Sequence, residues 1–560
     1  AEGKGRALAP DTFADFKRIL DRVADHPNRR YFILKSIIVN NLYGVDIMEE
    51  ACEICKLRLF LKLVAQVEEG AIEKIEPLPD INIRAGNTLV GFATLDAVRK
   101  SMEGRFDFGK EIQRIETQAV QAAEQFTVFR QMQTSLTTDS KALAQAKAGV
   151  RAALQSLNDE LDEYLASEYG IDPAKPRVFT SWRKSHEPFH WLVDFYGIMS
   201  SGGFSVIVGN PPWIEYAKVR KVYEVRGYQT VKCGNLHALC TERCIGLLRD
   251  KGRISFIVQL PLVSSSRMQS ARRLLKRSAS ILWTATFDDR PGKLFDGLQH
   301  CRSTIFIAER TKAESSARVF VTRYHRWPTS SRPTLFPQVQ YVEMPSTFGV
   351  IECFPKVPGP SHLDVLRRLH RTSALGLGHH VSKRPDAPFV FYQEATQYWV
   401  KASVGVPFYK KNGKRGAPAH GRSMSFSSEA RAYAATAIMN SSLFYLYYVT
   451  FSDCFHLSDT VAASFPTATA FLDDADLTSL GKALQDDIAS NAERKTIRTK
   501  DGDTIEYAEF ACAKSRALID AIDRRLGQLY DIPPDEIDTV LGFDAALRDC
   551  ERDEGEAEAE

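Results

Sequence analysis

The chain has 560 residues, of which 44% are hydrophobic and 26% are charged, and its net charge is only +3. This apolar content excludes a disordered, collagen-like or coiled-coil chain, and the length predicts three to four domains. Because the chain is nearly neutral, a surface for nucleic acid has to be a local patch rather than a global field.

The cysteines and the lengths of the apolar runs indicate the cellular compartment in which the protein is expected. Ten cysteines are irregularly spaced, which argues against a disulfide framework. Cys52 and Cys55 form a CxxC pair, but no second ligand pair follows at a zinc-site spacing, so we expect cysteines of the core and no metal. No run approaches the about 20 apolar residues of a membrane span, and no signal peptide is evident. We therefore expect a cytoplasmic protein with no membrane partner.

The N-terminal part of the chain begins with an α/β pattern and then becomes helical. A strand is predicted at Leu42–Val45, where it ends in Asp46, and the segment 81–91 gives a second strand with a polar turn at Gly86-Asn87. Residues 105–168 are rich in Ala, Gln, Glu and Lys, which predicts long helices that can form a hairpin.

The next segment alternates strands and helices. Residues 204–209 (FSVIVG) form a continuous apolar run before Asn210, which is typical of a strand buried on both faces of a parallel sheet. A helix at 236–249 is followed by strands at 253–259, near 281–287 and near 304–308. This alternation predicts a doubly wound, Rossmann-like α/β domain over roughly 30–310.

Beyond residue 315 prolines and aromatic residues become frequent, and the predicted strands are short. We expect a mixed α+β domain over 316–470, then a helical segment over 471–560 with an acidic, solvated end, ERDEGEAEAE. The stretch 395–428 contains no acidic residue. Its basic side chains suit phosphate contacts, and a solvated surface loop is the alternative. These side chains are Lys401, Lys410, Lys411, Lys414, Arg415 and Arg422.

The sequence Asn210-Pro211-Pro212-Trp213 stands directly after the predicted strand at 204–209. In open α/β sheets, ligands bind beyond the carboxyl ends of the strands. Two prolines make the turn rigid, so the amide oxygen of Asn210 and the carbonyl oxygen of Pro211 can accept hydrogen bonds from one amino group. Trp213 offers a flat face to the ring that carries this amine. The pattern favours a planar substrate with an exocyclic amine, and a purely structural turn is the alternative.

Several segments together resemble one family. FSVIVGNPPWIEY resembles the catalytic turn of S-adenosylmethionine-dependent DNA methyltransferases that modify N6 of adenine. NNLYGVDIMEEACEICKLRLFLKL is similar to the second strand and helix of the type IIG and BREX- or DISARM-like adenine methyltransferases. The resemblance continues through PFHWLVDF, NLHALCTERCIGLLRDKGRISFIV and LFYLYYVTFSDCFHLS. The order of these motifs is that of the γ type, in which target recognition lies on the C-terminal side.

The resemblance implies the cofactor and the residues that bind it. The cofactor is S-adenosylmethionine, and Asp46 matches the acidic residue that binds its ribose hydroxyls, with Ile47 beside it. An alternative role for Asp46 is to cap the helix that follows. Asn87 matches the turn that contacts the cofactor adenine, where many family members carry Asp.

The resemblance also implies the catalytic residues. Asn210, Pro211, Pro212 and Trp213 match the catalytic turn, and Phe295 matches an aromatic residue that stacks on the other face of the target base. An ordinary core position is the alternative for Phe295. In the implied reaction the adenine is flipped out of the duplex, and its amine attacks the methyl group directly. No cysteine nucleophile is needed.

One part of the family pattern is missing. The family has a glycine-rich loop after its first strand, which should precede residue 30. Residues 1–29 hold Gly3 and Gly5, but no apolar strand precedes them and no such loop follows. We therefore expect the first strand and its loop to lie outside this chain.

The sequence His186-Glu187-Pro188-Phe189-His190 spells HExxH, a signature of zinc metalloproteases. That chemistry needs both histidines on one face of a continuous helix. Pro188 disfavours a helical conformation at Glu187 and cannot donate a helix hydrogen bond. We therefore expect no zinc site here.

These observations predict a methyltransferase catalytic domain over 1–315, with a helical insertion at about 100–180, and a target-recognition domain over 316–470. Residues between Asn87 and Asn210 are an alternative location for target recognition. The expected partners are double-stranded DNA and other proteins of a restriction-modification or anti-phage defence system. The alternatives are a DNA-binding scaffold component that does not methylate and a protein-glutamine methyltransferase.

Overall fold

The computed structural model describes residues 14–68, 82–102, 108–134, 139–295, 301–313, 316–346, 348–349, 351–396, 398–499 and 501–548. Gly3, Gly5 and the acidic sequence at 551–560 lie outside the described residues. Contacts divide the chain into two compact units. The first takes in residues up to 207 together with 214–228 and 239–252, and the second takes in 208–213, 229–238 and residues from 253 onward.

The first unit begins with helices and a small parallel sheet. Strand β1 (Gly44–Asp46) pairs with β2 (Ile83–Ala85), and Asp46 lies opposite Ala85. Cys52 is buried and its thiol donates a hydrogen bond of 3.2 Å to the carbonyl oxygen of Arg84, so it is a core residue as predicted. The helices are α1 (Ala14–Asp25), α2 (Arg29–Asn41), α3 (Glu49–Val64) and α4 (Leu95–Met102).

The long helices predicted for 105–168 are present. Helix α5 (Phe108–Gln133) packs against α6 (Ser140–Glu168), and a hydrogen bond of 2.9 Å between Arg114 and Glu160 joins them. The side chain of Asp139 caps α6 by accepting the N–H of Ala142 at 3.1 Å. Three shorter helices follow: α7 (Pro176–His186), α8 (Trp191–Asp194) and α9 (Tyr196–Ser200).

A six-stranded sheet follows, with the spatial order β3-β4-β6-β5-β7-β8. Strand β6 is antiparallel to β4 and β5, whereas β7 is parallel to β5, so the sheet is mixed. Helices alternate with strands from β3 to β5, but among the described residues no α-helix lies between β5 and β8, so the doubly wound arrangement stays a prediction. The strands are β3 (Phe204–Gly209), β4 (Leu248–Gln259), β5 (Ala279–Phe287), β6 (Ser303–Arg310), β7 (Arg318–His325) and β8 (Val342–Met344). The helices are α10 (Tyr216–Val219), α11 (Leu236–Leu247), α12 (Pro261–Ser264) and α13 (Gln269–Ser278).

The prediction that β3 is buried on both faces is wrong in this structure. Val206 and Val208 are 64% and 77% exposed. The reason is that, in the described part of the chain, β3 is an edge strand that is hydrogen-bonded only to β4 in its sheet. Strand β1 likewise pairs only with β2 among the described residues.

The C-terminal part combines helices with two small sheets, ordered β10-β9-β13 and β12-β11-β15-β14. The strands are β9 (Phe389–Gln393), β10 (Ser403–Val404), β11 (Tyr409–Lys411), β12 (Lys414–Arg415), β13 (Gly421–Ser425), β14 (Glu493–Arg498) and β15 (Thr504–Glu509). The helices are α14 (Pro360–Thr372), α15 (Glu429–Asn440), α16 (Ser442–Phe451), α17 (Asp459–Ser464), α18 (Thr469–Leu472), α19 (Ala475–Ser490), α20 (Arg516–Leu529), α21 (Pro534–Leu541) and α22 (Ala545–Arg548).

Helix α16 is the centre of this part. Every one of its residues is buried, so its aromatic run belongs to the core, as the sequence predicts. The carboxylate of Asp523 accepts the backbone N–H groups of Ser442 and Leu443 at 2.9 and 3.0 Å. These bonds satisfy donors at the start of a buried helix.

The segment predicted to be a C-terminal helical end also contributes strands. Residues of β15 pair with β11, so parts of the chain on both sides of residue 470 share one sheet. The predicted division into domains stays a prediction. Among the helices formed by the described residues, none is long and apolar enough to span a membrane.

Candidate active site

Asp46 lies at the carboxyl end of β1, where its side chain is exposed. Its Oδ1 accepts the N–H of Met48 at 2.8 Å, and Ile47 between them is 41% exposed. Helix α3 begins only at Glu49, so Asp46 orders the turn before the helix rather than capping it. One carboxylate oxygen thus holds the turn, and the group stays accessible to a ligand.

The backbone N–H of Gly86 donates to the carbonyl oxygen of Asp46 at 2.8 Å. This bond places residues 86–91, here called the Asn87 turn, beside the end of β1. Asn87 is 3% exposed, and its Oδ1 accepts the N–H of Leu89 at 3.1 Å. Among the described residues, its buried Nδ2 has no hydrogen-bond partner. A buried donor without an acceptor costs about 1–3 kcal/mol, which a ligand with a ring nitrogen or hydroxyl would remove.

The Asn87 turn is shaped by its contact with Phe189. Gly91 has φ +128°, and a Cβ there would lie 2.1 Å from the carbonyl oxygen of Phe189. Gly86 has φ +154°, and a Cβ there would lie 2.9 Å from the Phe189 ring. The N–H of Phe189 also donates to the carbonyl oxygen of Val90 at 2.8 Å. Only glycine lets the two segments approach this closely.

Phe189 belongs to the HExxH sequence, whose role here is structural. Helix α7 ends at His186, and Glu187 has φ 45°, so the two histidines do not share a helix, as Pro188 predicts. The carbonyl oxygen of Glu187 accepts the N–H of Asn87 at 2.8 Å. His190 is buried between the N–H of Phe92, at 3.1 Å, and the carboxylate of Asp162, at 3.0 Å.

Two residues that the sequence interpretation missed hold the other side of the turn. A guanidinium nitrogen of Arg243 donates to the carbonyl oxygens of Leu89 and Gly91 at 3.0 and 3.1 Å. Its Nε donates to the Tyr228 hydroxyl at 2.8 Å, and this hydroxyl donates to Leu89 O at 2.7 Å. Burial raises the pKa of Tyr228, so the donor is retained. The one available signal was an arginine within the apolar sequence LHALCTERCIGL.

The predicted catalytic turn at 210–213 follows β3. Pro211 is buried, whereas Asn210 and Pro212 are exposed. The indole Nε1 of Trp213 donates to the carbonyl oxygen of Ile257, in β4, at 3.3 Å. The turn is therefore anchored at one end, and the Asn210 side chain is exposed to solvent.

Phe295, the second predicted stacking residue, is half-buried. Its neighbour Leu294 packs against the cluster of Phe287 and Trp327, and Arg332 donates to the carbonyl oxygen of Leu294 at 2.9 Å. Residues 296–300 lie outside the described residues. A stacking role for Phe295 stays a prediction.

Two cations of the basic stretch form ion pairs with carboxylates. Lys411 lies 2.5 Å from Asp503, and Arg422 lies 3.1 Å from Glu394 and 3.4 Å from Asp459. These carboxylates raise the pKa of Lys411 and of Arg422. All three acidic partners lie outside the stretch 395–428, and Glu394 directly precedes it. Exposed ion pairs of this kind are weak, so both cations remain able to exchange a carboxylate for a phosphate.

The remaining basic residues lie around a short hairpin. Strand β12 carries Lys414 and Arg415, both exposed. The Nζ of Lys410 lies 5.4 Å from the centre of the Phe408 ring, and the guanidinium of Arg494, on β14, lies 4.4 Å from it. Lys401 has φ 58° in the segment before β10. The structure thus brings most of these cations onto the sheet that contains β11 and β12.

Comparison with known proteins covers the residues of the Asn87 turn and of the turn at 210–213. Residues 40–292 match the family model of the Eco57I restriction-modification methylase. The matched segment, which is somewhat less than half of the chain, is therefore similar to a restriction-modification methylase. The match confirms the resemblance that the motifs indicated, and S-adenosylmethionine, the predicted cofactor, is the methyl donor of such enzymes. The matched residues include Asp46, Asn87 and the turn at 210–213.

A curated relative gives the same indication. The chain is 31% identical over 280 residues to a putative type II restriction enzyme and methyltransferase of Methanocaldococcus jannaschii. The matched part covers 43% of this chain and 23% of the relative, so the chain spans about a quarter of that protein's length.

Two solved structures are similar over most of the chain. One is the type ISP restriction-modification enzyme LlaBIII bound to DNA. Its alignment covers 96% of this chain and 43% of the LlaBIII chain, with 10% identity and a TM-score of 0.35. The type IIL restriction-modification enzyme MmeI in complex with DNA covers 97% and 76%, with 9% identity and a TM-score of 0.32.

Proposed function

We propose that this chain carries the catalytic turn and the target-recognition surface of a DNA methyltransferase. The enzyme transfers a methyl group from S-adenosylmethionine to N6 of a flipped adenine, within a restriction-modification or anti-phage defence system. The observation that carries this proposal is the turn at 210–213. It presents an exposed Asn210 beside a tryptophan that is anchored on β4.

The residues of the first unit fit the cofactor. S-adenosylmethionine supplies an electrophilic methyl group when it is bound. The exposed carboxylate of Asp46 would accept hydrogen bonds from the ribose hydroxyls, and Ile47 would pack beside them. The unpartnered Nδ2 of Asn87 would donate to the adenine ring. Because Phe189 and Arg243 hold the Asn87 turn, this donor is already in place before a ligand binds.

The catalytic turn would act by hydrogen bonding and orientation. The amide oxygen of Asn210 and the carbonyl oxygen of Pro211 would accept the two protons of the adenine amine. These acceptors favour the positive charge that develops on nitrogen as it attacks the methyl group. Stacking on Trp213 would fix the plane of the base, and orientation of this kind supplies a large part of the acceleration.

The proposal is tested by the product that the full-length protein makes. We expect tritium from labelled S-adenosylmethionine to enter duplex DNA, and nucleoside analysis to identify N6-methyladenine. Label in protein instead of DNA would favour the protein-glutamine methyltransferase. Tight DNA binding with no label in DNA or protein would favour the scaffold component.

The role of the catalytic turn is tested by Asn210→Ala. Loss of one preorganised acceptor should lower the rate about 100-fold or more, while the exposed position should leave the melting temperature unchanged. The matched control is Asn40→Ala, which removes an exposed asparagine near the end of α2. An Asn210→Ala enzyme as active as the control would remove Asn210 from the mechanism.

DNA binding by the basic stretch is tested by replacing Lys410, Lys411, Lys414 and Arg415 with Ala together. Each lost phosphate contact should reduce the slope of log affinity against log salt by about 0.9. The control replaces four other exposed basic residues, Arg371, Lys482, Lys514 and Arg524. An equal slope in the two variants would place DNA elsewhere.

A further inference from the structure

A cavity of about 410 Å³ lies within the second unit. The end of β4 lines it through Gln259, and the residues after β5 line it through Asp289. Arg302, Tyr398, Phe455 and His456 contribute further parts of the wall. Small-molecule sites typically occupy about 300–1,000 Å³ and combine aromatic walls with a few polar groups. The cavity therefore has the size and lining of a ligand site.

Phe455 is the unusual side chain of this wall. It is 49% exposed, although phenylalanine is normally buried. The carboxylate of Asp453 accepts the backbone N–H groups of Phe455 and His456 at 2.8 and 2.7 Å, and Cys454 between them has φ 58°. The loop is thus held in a conformation that keeps an aromatic ring open to the cavity.

The ring of Phe455 is oriented by its neighbours. The guanidinium of Arg302 lies 4.9 Å from the ring centre, and the His456 ring meets it edge-on at 4.5 Å. A planar ligand can stack on an aromatic face that is held in this way. Stacking of a nucleobase on an aromatic side chain is independent of base identity, since every base has a π-face.

Two of the arginines in the cavity wall are paired with carboxylates, which favours an uncharged ligand beside them. Arg302 lies 3.3 Å from Asp288, and Arg326 lies 3.1 Å from Asp288 and 2.9 Å from Asp544. The guanidinium groups of these two arginines are therefore already neutralised by carboxylates. A phosphate that bound either of these two guanidinium groups would have to displace a carboxylate, whereas a neutral base would not.

The wall also offers hydrogen-bonding groups for the edge of a base. Asp289 is half-buried, and burial together with the neighbouring Asp288 raises its pKa. The carboxyl oxygens of Asp289 can accept hydrogen bonds from the amino group of a base. Gln259 adds an amide, which accepts from Asn235 at 3.3 Å and donates to Cys301 at 3.5 Å.

The cavity is near the catalytic turn along β4. Trp213 is hydrogen-bonded to the carbonyl oxygen of Ile257, and Gln259, two residues further on, is part of the cavity wall. Ligands of open α/β sheets bind at the carboxyl ends of the strands, where β4 ends.

We propose that this cavity receives an unstacked nucleobase and that Phe455 is the aromatic side chain on which the base stacks. The inference deepens the proposed DNA methylation and rests on it for the source of the base. The family resemblance implied that Phe295 stacks on the target base, and the inference gives this role to Phe455 instead. Phe295 is not among the described residues that line the cavity.

The test uses the full-length protein and 2-aminopurine deoxyriboside, whose fluorescence is quenched when it stacks. Wild-type protein should quench the probe. Phe455→Ala should weaken the binding about 10-fold or more, and Phe455→Tyr should retain it. The matched control is Phe336→Ala, since Phe336 is 58% exposed and lies outside the cavity wall. Deoxyadenosine should compete with the probe, and deoxyribose 5-phosphate should not.

Equal quenching by Phe455→Ala and the Phe336→Ala control would overturn the inference, provided that both variants melt like wild type. Competition by deoxyribose 5-phosphate as strong as that by deoxyadenosine would also overturn it, in favour of an anion site. The two proposals can fail separately. Phe455-dependent nucleoside binding without DNA methylation would refute only the proposed function. Normal methylation kinetics of Phe455→Ala would refute only the stacking role.

Discussion

Two asparagines follow strands in this molecule, and their surroundings differ. Asn210 is exposed in a turn made rigid by two prolines, and its anchor is the nearby Trp213. Asn87 is buried in a turn held by residues about 100 and 150 positions away, Phe189 and Arg243. A motif of adjacent residues can shape the first turn, whereas the second depends on long-range contacts. Substitutions far from both turns in the sequence should therefore disturb the Asn87 turn more than the turn at 210–213.

The largest expected effect comes from substituting a glycine of the Asn87 turn, compared with the glycine that precedes the turn at 210–213. Gly91→Ala should lower the free energy of unfolding by about 2–4 kcal/mol, because its Cβ would meet the backbone of Phe189 and its φ is positive. Gly209→Ala, before the catalytic turn, meets only the Phe256 ring at 3.3 Å and should cost less than about 1 kcal/mol. Urea denaturation measures both. Equal losses would contradict the comparison.

The next effect concerns the long-range support of the Asn87 turn. Arg243→Met removes the donors to Leu89 and Gly91, so the affinity for S-adenosylmethionine should fall about tenfold, which is 1.4 kcal/mol. Arg253→Met is the control, since Arg253 is exposed and pairs with Glu309 in the sheet. Calorimetry on the full-length protein gives both affinities. If Arg243→Met binds the cofactor like wild type, the arginine does not position the turn.

A smaller effect is expected at the proposed catalytic turn, residues 210–213. Trp213→Phe keeps an aromatic face but loses the hydrogen bond to Ile257, which is worth about 1 kcal/mol. We expect a several-fold lower kcat and an unchanged cofactor affinity. Trp283→Phe, in β5, is the control because its ring stacks on Phe320, away from the turn. A change in cofactor affinity without a change in kcat would show that the two turns are not independent.

The smallest effect is a dependence on pH. Burial lowers the pKa of His186 below its usual value of 6.5. The positive charge of Arg226 lowers this pKa further, whereas the negative charge of Glu224 raises it. The folded protein therefore prefers the neutral ring, so stability is complete above pH 6.5 and falls as the pH drops below it. His186 directly precedes Glu187, whose carbonyl oxygen holds Asn87.

Cofactor affinity should therefore fall more between pH 7.5 and pH 5.5 in wild type than in His186→Gln, which cannot titrate. The difference between the two proteins isolates this histidine from other groups. Parallel pH profiles would remove His186 from the support of the Asn87 turn.

The segment around HExxH shows where motif matching alone misleads. Its letters match a metalloprotease, but Pro188 ends the helix, and the structure uses Phe189 and His190 to support the Asn87 turn. The proline could be interpreted from sequence because its effect is local. The contacts of Phe189 with Gly86 and Gly91 could not, since they join segments about 100 residues apart in the chain.

The sequence by itself determined the family resemblance, the order of the motifs, the helical hairpin at 105–168 and the rigid turn at 210–213. These features depend on neighbouring residues, whose effects on the backbone are short-ranged. Only the tertiary structure decided that β3 is an edge strand, that carboxylates from other segments pair with Lys411 and Arg422, and that Phe455 faces a cavity. Burial and ion pairing depend on which distant segments meet, and a local pattern does not contain that information.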